Sequence, residues 1–187
     1  MKNILKIFLI FITALAFIFT AFFFLKFNKV EYQSSVSNST AVKKLNKKVF
    51  APGFLNTGSS AISTDFSFDR EAKNDTIGFS FHPSLHENSE NRLSLNFNSG
   101  DGYSGLNIEV MKIGSWFSSS IETYTDNMKP FDFLDRDRYS IKKQKLILNK
   151  SEYKKGDSIF GKIELEIQSN INDSVYQAGG YFRGKIE

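Results

Sequence analysis

The sequence predicts an all-β fold, an antiparallel β-sandwich or small barrel of about eight strands, preceded by one N-terminal transmembrane helix. Three observations predict it. Apolar residues beyond Ala61 recur at every second position, clusters of turn-forming residues separate these runs, and one unbroken apolar stretch lies near the N-terminus. At 187 residues the chain holds one modest domain and its flanks. The expected division is a short N-tail and signal-anchor helix over 1–28, a polar Lys/Ser-rich stalk over 29–60, and the β-sandwich domain over 61–187.

From Ile7 to Leu25 the sequence reads IFLIFITALAFIFTAFFFL, uncharged throughout and polar only at Thr13 and Thr20. At ~1.5 Å rise per residue it would extend about 28 Å, close to the ~30 Å hydrocarbon layer of a bilayer. Ile7, Phe11, Phe17, Phe22 and Leu25 are its expected anchoring side chains. A cleaved signal peptide is the alternative, since Lys2 and Lys6 make a basic start and Ala14-Leu15-Ala16 has the small-x-small pattern of a cleavage site. The apolar run continues well past Ala16, which favours an uncleaved anchor. Lysines flank both ends, but a short basic segment ahead of the first apolar run is the usual signal-anchor arrangement, and long domains translocate largely regardless of charge. The expectation is therefore a single-pass protein of the cytoplasmic (inner) membrane with an extracytoplasmic C-terminal domain.

Glu31 to Thr40 is polar and Ser-rich, the composition of a linker. Val42, Leu45 and Val49 then recur at helical spacing behind a hydroxyl N-cap at Ser39 or Thr40, with Ala51-Pro52-Gly53 as the stop. Lys43, Lys44, Lys47 and Lys48 fall on the opposite side, a membrane-proximal basic group. This short helix either touches anionic lipid or packs weakly on the domain behind it, and so few apolar residues favour the second reading.

The domain follows by period two. Phe66 and Phe68, then Ile77, Phe79 and Phe81, then Leu93, Leu95 and Phe97, then Leu106, Ile108 and Val110 alternate with polar residues. The pattern resumes over Gln144 to Leu148, then at Ile159, Ile163, Leu165 and Ile167, then at Tyr176, Ala178, Phe182 and Ile186. Turn chemistry intervenes at 98–105, at Lys154-Lys155-Gly156-Asp157 and at 169–174. Twelve of the 20 phenylalanines lie beyond residue 30, enough bulk for a two-sheet core.

Charge and composition exclude several function classes. The net charge of +4 resides in the four lysines that precede Glu31, and the remaining chain carries 20 basic and 20 acidic residues. A nucleic-acid surface needs surplus cations on the folded domain, so no nucleic-acid partner is expected. The absence of cysteine removes disulfides, thiolate metal sites and a Cys nucleophile.

The motifs that suggest chemistry have plainer readings. Gly100-Asp101-Gly102-Tyr103-Ser104-Gly105 matches the dinucleotide fingerprint, but a strand rather than a helix follows it, so a hairpin loop is expected. His82 and His86, four apart behind Pro83, would share one face of a helical turn and with Glu87 or Glu90 could ligate Zn²⁺ or Ni²⁺. Asp132, Asp135 and Asp137 lack the order of an EF-hand loop. Glu109, Glu122, Glu164 and Glu166 should point outward from their strands. Trp116 and Phe117 interrupt the alternation and form a candidate exposed aromatic pair for binding, beside the alternative of a core Trp at a strand end. No catalytic residue, metal or cofactor is expected. The resulting expectation is a non-catalytic module that binds another envelope protein, with Trp116, Phe117, His82 and His86 as candidate binding residues. The alternatives are a carrier of an apolar ligand among Phe66, Phe79, Phe97 and Phe182, and an envelope hydrolase built on His82, His86 and nearby acids.

Overall fold

The computed structural model describes residues 2–45, 63–68, 79–86, 89–100, 104–125 and 138–187, without the side chains of residues 2–5, 7, 9, 19, 22, 89, 90 and 125. Among the described residues there are two α-helices, α1 (Lys2–Lys26) and α2 (Thr40–Lys44), and ten strands. The strands are β1 (Asn28–Lys29), β2 (Glu31–Tyr32), β3 (Ser67–Phe68), β4 (Ser80–His86), β5 (Ser89–Gly100), β6 (Ser104–Ile113), β7 (Trp116–Thr125), β8 (Tyr139–Leu148), β9 (Ser158–Ser169) and β10 (Val175–Lys185).

Two five-stranded sheets form, in the orders β1-β7-β6-β5-β4 and β2-β8-β9-β10-β3. Each is built around an antiparallel meander, β4 to β7 in sheet I and β8 to β10 in sheet II. The expected all-β class, in two packed sheets, is what the chain adopts. Alternation drives it. On β9, Ile159, Ile163 and Ile167 are fully buried, while Glu164 and Glu166 face away from the core.

Four phenylalanines close the centre. Phe97 lies 5.0 Å from both Phe66 and Phe81 and 5.5 Å from Phe182, while Phe81 and Phe182 are 4.8 Å apart, ring centre to ring centre. Each fully buried ring contributes about 1.5–3 kcal/mol by leaving water, and favourable ring pairs add roughly 0.5–1.5 kcal/mol. Phe79 meets Phe66 at 4.7 Å. The four rings among which the alternative reading placed an apolar ligand, Phe66, Phe79, Phe97 and Phe182, are thus packed in a chain of ring contacts.

Both open sides of the sandwich are crossed by backbone. On one side, Asn28 and Lys29 pair with Phe117 and Trp116 of β7, Val30 is buried, and Glu31 and Tyr32 pair in parallel with Ile147 and Leu148 of β8. On the other, Glu187 exchanges backbone hydrogen bonds with Pro83 and Leu85 of β4, directly beyond β10. The polar segment expected as a stalk therefore contributes to both sheets over 29–32. It continues as a 3-10 turn (Ser34–Asn38) and α2, whose Val36, Val42 and Leu45 are buried. Ser39 caps α2 by accepting from the Val42 N–H at 3.2 Å. The apolar side of this short helix packs on the domain. Lys43 and Lys44 are exposed, and Lys47 and Lys48 lie outside the described residues.

The N-terminal helix forms over Lys2–Lys26, as the apolar run predicts. The expected membrane span is not recovered: among the described residues no helix is long and apolar enough to cross a membrane. The spanning expectation rests on the uncharged run from Ile7 to Leu25.

Strand β7 carries the Ser-rich WFSSSIETYT, whose alternation is masked because serine occupies Ser119, an inward register position between Phe117 and Ile121. Gly105 opens β6 against the Ser99 carbonyl oxygen and the Tyr124 phenol, positions that a Cβ would overlap. Gly105→Ala is expected to destabilise the β5–β6 hairpin. Phe182→Ala, at the centre of the ring cluster, is expected to cost about 3–5 kcal/mol. Urea unfolding of the detergent-solubilised chain, followed by the fluorescence of Trp116, checks both. A loss below about 1 kcal/mol for Phe182→Ala would contradict the core assignment.

Candidate functional site

His82 and His86 are the residues of the metal and hydrolase alternatives. Both lie on strand β4, not on a helical turn, and both are exposed. Along a strand rising ~3.3 Å per residue, four residues separate them by about 13 Å, too far for one ion. Pro83 points inward between them and is buried, and a register irregularity follows Leu85. Among the described residues no group of three or more His, Cys, Asp or Glu side chains could hold a metal ion. Glu87 lies outside the described residues, as do Asp132, Asp135 and Asp137.

The glycine motif is a strand-to-strand connection. Gly100 ends β5, Gly105 pairs with it at the start of β6, and residues 101–103 lie outside the described residues. A pyrophosphate site there would need a helix N-terminus in place of β6. The four strand carboxylates are divided between two outer surfaces. Glu109 and Glu122 lie on sheet I, where Glu109 accepts a hydrogen bond from the Ser94 hydroxyl at 2.9 Å. Glu164 and Glu166 lie on sheet II, paired with Lys162 at 2.5 Å and with Lys143 at 2.9 Å. With the core between them, the two sets cannot form one acid/base pair.

Trp116 and Phe117 separate at the start of β7. Phe117 is fully buried in the core. Trp116, on the opposite face, meets Phe23 and Phe24 of α1 edge-on at 5.5 and 5.6 Å. The candidate exposed aromatic pair is thus one core residue and one seat for α1. Gln144 of β8 completes this junction. Its amide nitrogen donates to the Lys26 carbonyl at 2.9 Å and to the Asn28 side-chain oxygen at 2.8 Å, and its amide oxygen accepts from the Ser119 N–H at 2.7 Å. Lys26, Lys142, Lys143, Lys145, Glu164 and Glu166 border an open groove beside it.

A second site has no counterpart among the sequence expectations. Lys112 pairs across β6 with Leu93 and Phe117, both inward-facing, and is itself only 4% exposed. Its ammonium donates to the Ser151 carbonyl at 2.9 Å, in the loop from β8 to β9. Beside it is a cavity of about 110 Å³ whose polar lining comes from Tyr32, Asn91, Lys112, Ser115, Ser151, Glu152 and Tyr153. Tyr153 is buried, and its hydroxyl donates to Asn149 Oδ1 at 2.7 Å, which also accepts the Phe160 N–H. Lys150 bridges to Asp157 at 2.6 Å and lies over the Tyr153 ring, bracing the same loop. The signal for this site was present in the sequence: Ile108, Val110 and Lys112 alternate, and period two carries the lysine inward.

Electrostatics at the cavity follow from burial. Desolvation lowers the Lys112 pKa below the ordinary lysine value of 10.5, partly offset by the Glu152 charge. Desolvation raises the Tyr32 phenol, with its hydrogen bond to Ser115 acting in the opposite sense. Tyr153 is pushed up as well, chiefly by burial.

Between the lowered folded value of Lys112 and 10.5, the unfolded chain holds a proton that the folded chain has lost, so stability rises with pH across that window. Below it, both states are charged and the burial penalty stands in full. The stability of Lys112→Met relative to the natural chain is therefore expected to be greatest below the window and to decline as pH approaches 10.5. Paired urea unfolding curves from pH 7 to 10.5 check this, and a difference independent of pH would contradict it.

Set against known proteins, the chain matches no family model, no curated protein and no solved structure.

Proposed function

We propose that the chain is a single-pass membrane-anchored binding module, in which α1 lies in the bilayer and the β-sandwich, held at its extracytoplasmic surface, recognises another envelope protein without chemistry of its own. The observation that carries the anchoring is the unpacked apolar surface of α1. Phe8, Phe11, Ile18 and Phe24 are each about 60% exposed, and Phe17 and Leu25 reach 77% and 86%. A surface of this kind on a soluble chain needs a cover, and the uncharged run of 19 residues from Ile7 to Leu25 suits a bilayer. The two polar side chains in the run return their hydroxyls to the helix, Thr13 to the Ile10 carbonyl and Thr20 to the Ala16 carbonyl. That is how polar groups are satisfied in lipid.

Binding rather than catalysis is supported by His82 and His86 standing too far apart to hold one ion, and by Glu164 and Glu166 each being held by a lysine on the outer face of sheet II. The basic start of the chain supports the N-in orientation.

Trp116 is the sole tryptophan and sits against the last turns of α1, which makes it a direct probe. In the anchored protein it belongs at the membrane–water interface, where tryptophan is enriched. Reconstitution of the full chain into vesicles of brominated phosphatidylcholine is expected to quench its fluorescence strongly relative to unbrominated vesicles. In intact cells, Ser120→Cys is expected to react with a membrane-impermeant maleimide. Absence of quenching would overturn the anchoring, and labelling only after lysis would overturn the orientation.

A further inference from the structure

We propose that the Lys112 cavity is a carboxylate-binding site, the place where the module receives an acidic group of its ligand. The inference rests on the binding-module reading and gives that module a defined pocket. Its first support is position. Lys112 occupies an inward register between Leu93 and Phe117, where an apolar residue would simply extend the core. Burying an ammonium there is costly unless it is paired and hydrogen-bonded. An ammonium has three N–H donors, and the Ser151 carbonyl takes one.

The second support is the space. The cavity, about 110 Å³, lies against Lys112, and since a water takes ~30 Å³, a carboxylate fits with a water or two to spare. A carboxylate brings a compensating charge and two oxygens able to accept from one ammonium. Tyr32 and Ser115 add hydroxyls to the same lining. The third support is construction. The walls come from β2, β4, β5, β6, the β6–β7 turn and the β8–β9 loop, so both sheets fix the pocket's shape. Glu152, the acidic residue of the lining, is exposed, whereas Lys112 is buried.

The carboxylate could belong to a small free acid or to the terminus of a partner chain, and one experiment distinguishes them. The full-length protein in detergent is titrated with sodium acetate against sodium chloride at equal ionic strength, and separately with the peptide acetyl-Ala-Ala as free acid and as amide, with Tm as readout. Expected is a saturable rise in Tm with the free-acid peptide, absent with the amide and absent in Lys112→Met. An equal rise with acetate assigns the site to small acids, and a rise with the peptide alone assigns it to chain termini. No saturable rise with either carboxylate, or the same rise in Lys112→Met, overturns the proposal. Should Lys112→Met fail to fold, the ¹³Cε resonance of Lys112 in the natural chain decides: movement on addition of the free-acid peptide or acetate supports the site, and a stationary signal with both overturns it. The vesicle quenching of Trp116 reads anchoring alone, so either proposal can fail without the other.

Discussion

Val30 is buried between two residues that pair with one sheet and two that pair with the other. This five-residue crossing is the constraint on which the rest of the molecule depends. A sandwich made of two meanders has open sides where backbone groups of the edge strands lack partners. Here Asn28 and Lys29 satisfy β7, Glu31 and Tyr32 satisfy β8, and the Val30 N–H reaches the Ser115 carbonyl at 2.9 Å. The same crossing carries Tyr32 to the Lys112 cavity and brings Lys26 within reach of Gln144. Removing it would open the sandwich, unseat the helix and remove one wall of the pocket together. These three features are one structural unit.

The interior shows a comparable economy. Hydrophobic burial fills the middle of the sandwich with phenylalanine rings, and at one end the alternation places a lysine where the core stops. Such a position is tolerable only because the β8–β9 loop folds over it and presents the Ser151 carbonyl. The loop is itself held by Lys150 on Asp157, by the Asp157 carboxylate accepting the Lys154 N–H at 2.9 Å, and by the buried Tyr153. A buried charge weakens a fold unless its partners are in place, so the stiffness of this loop and the inward lysine belong to one arrangement.

Much of the sandwich was legible because period two is a direct consequence of strand geometry: Leu93, Leu95 and Phe97 could face one way only if they sat on a strand. The elements that escaped have physical reasons. Strands β1 and β2 are two residues each and carry no periodicity, so a polar composition read as a stalk concealed a sheet contact. In β7, Ser119 stands where a large apolar side chain would have announced the inward face. His82 and His86 shared a face in the helical reading and stand on an extended strand instead, because the register of β4 with β5 decides the backbone and spacing alone does not. Lys112 followed the alternation faithfully and was missed because a charged residue at an inward position contradicts the burial rule on which the reading relied.

The folding of 28–45 onto the sandwich changes what an anchored form of this protein can do. A thirty-residue flexible stalk would let the domain range over tens of ångströms, since coil dimensions grow as roughly 5–6 Å times the square root of length. With Phe23 and Phe24 seated on Trp116 and the Lys26 carbonyl bound by Gln144, the described chain leaves no free linker between α1 and β1. On the proposed anchoring, the sandwich is then fixed in height and orientation above the bilayer. A fixed module gives up reach and gains preorganisation: the orientational entropy of docking is largely spent in folding, so a partner confined to the same surface meets the binding face already aimed. That favours partners which are themselves membrane-bound or lie close to the membrane over ligands that must be sought at a distance.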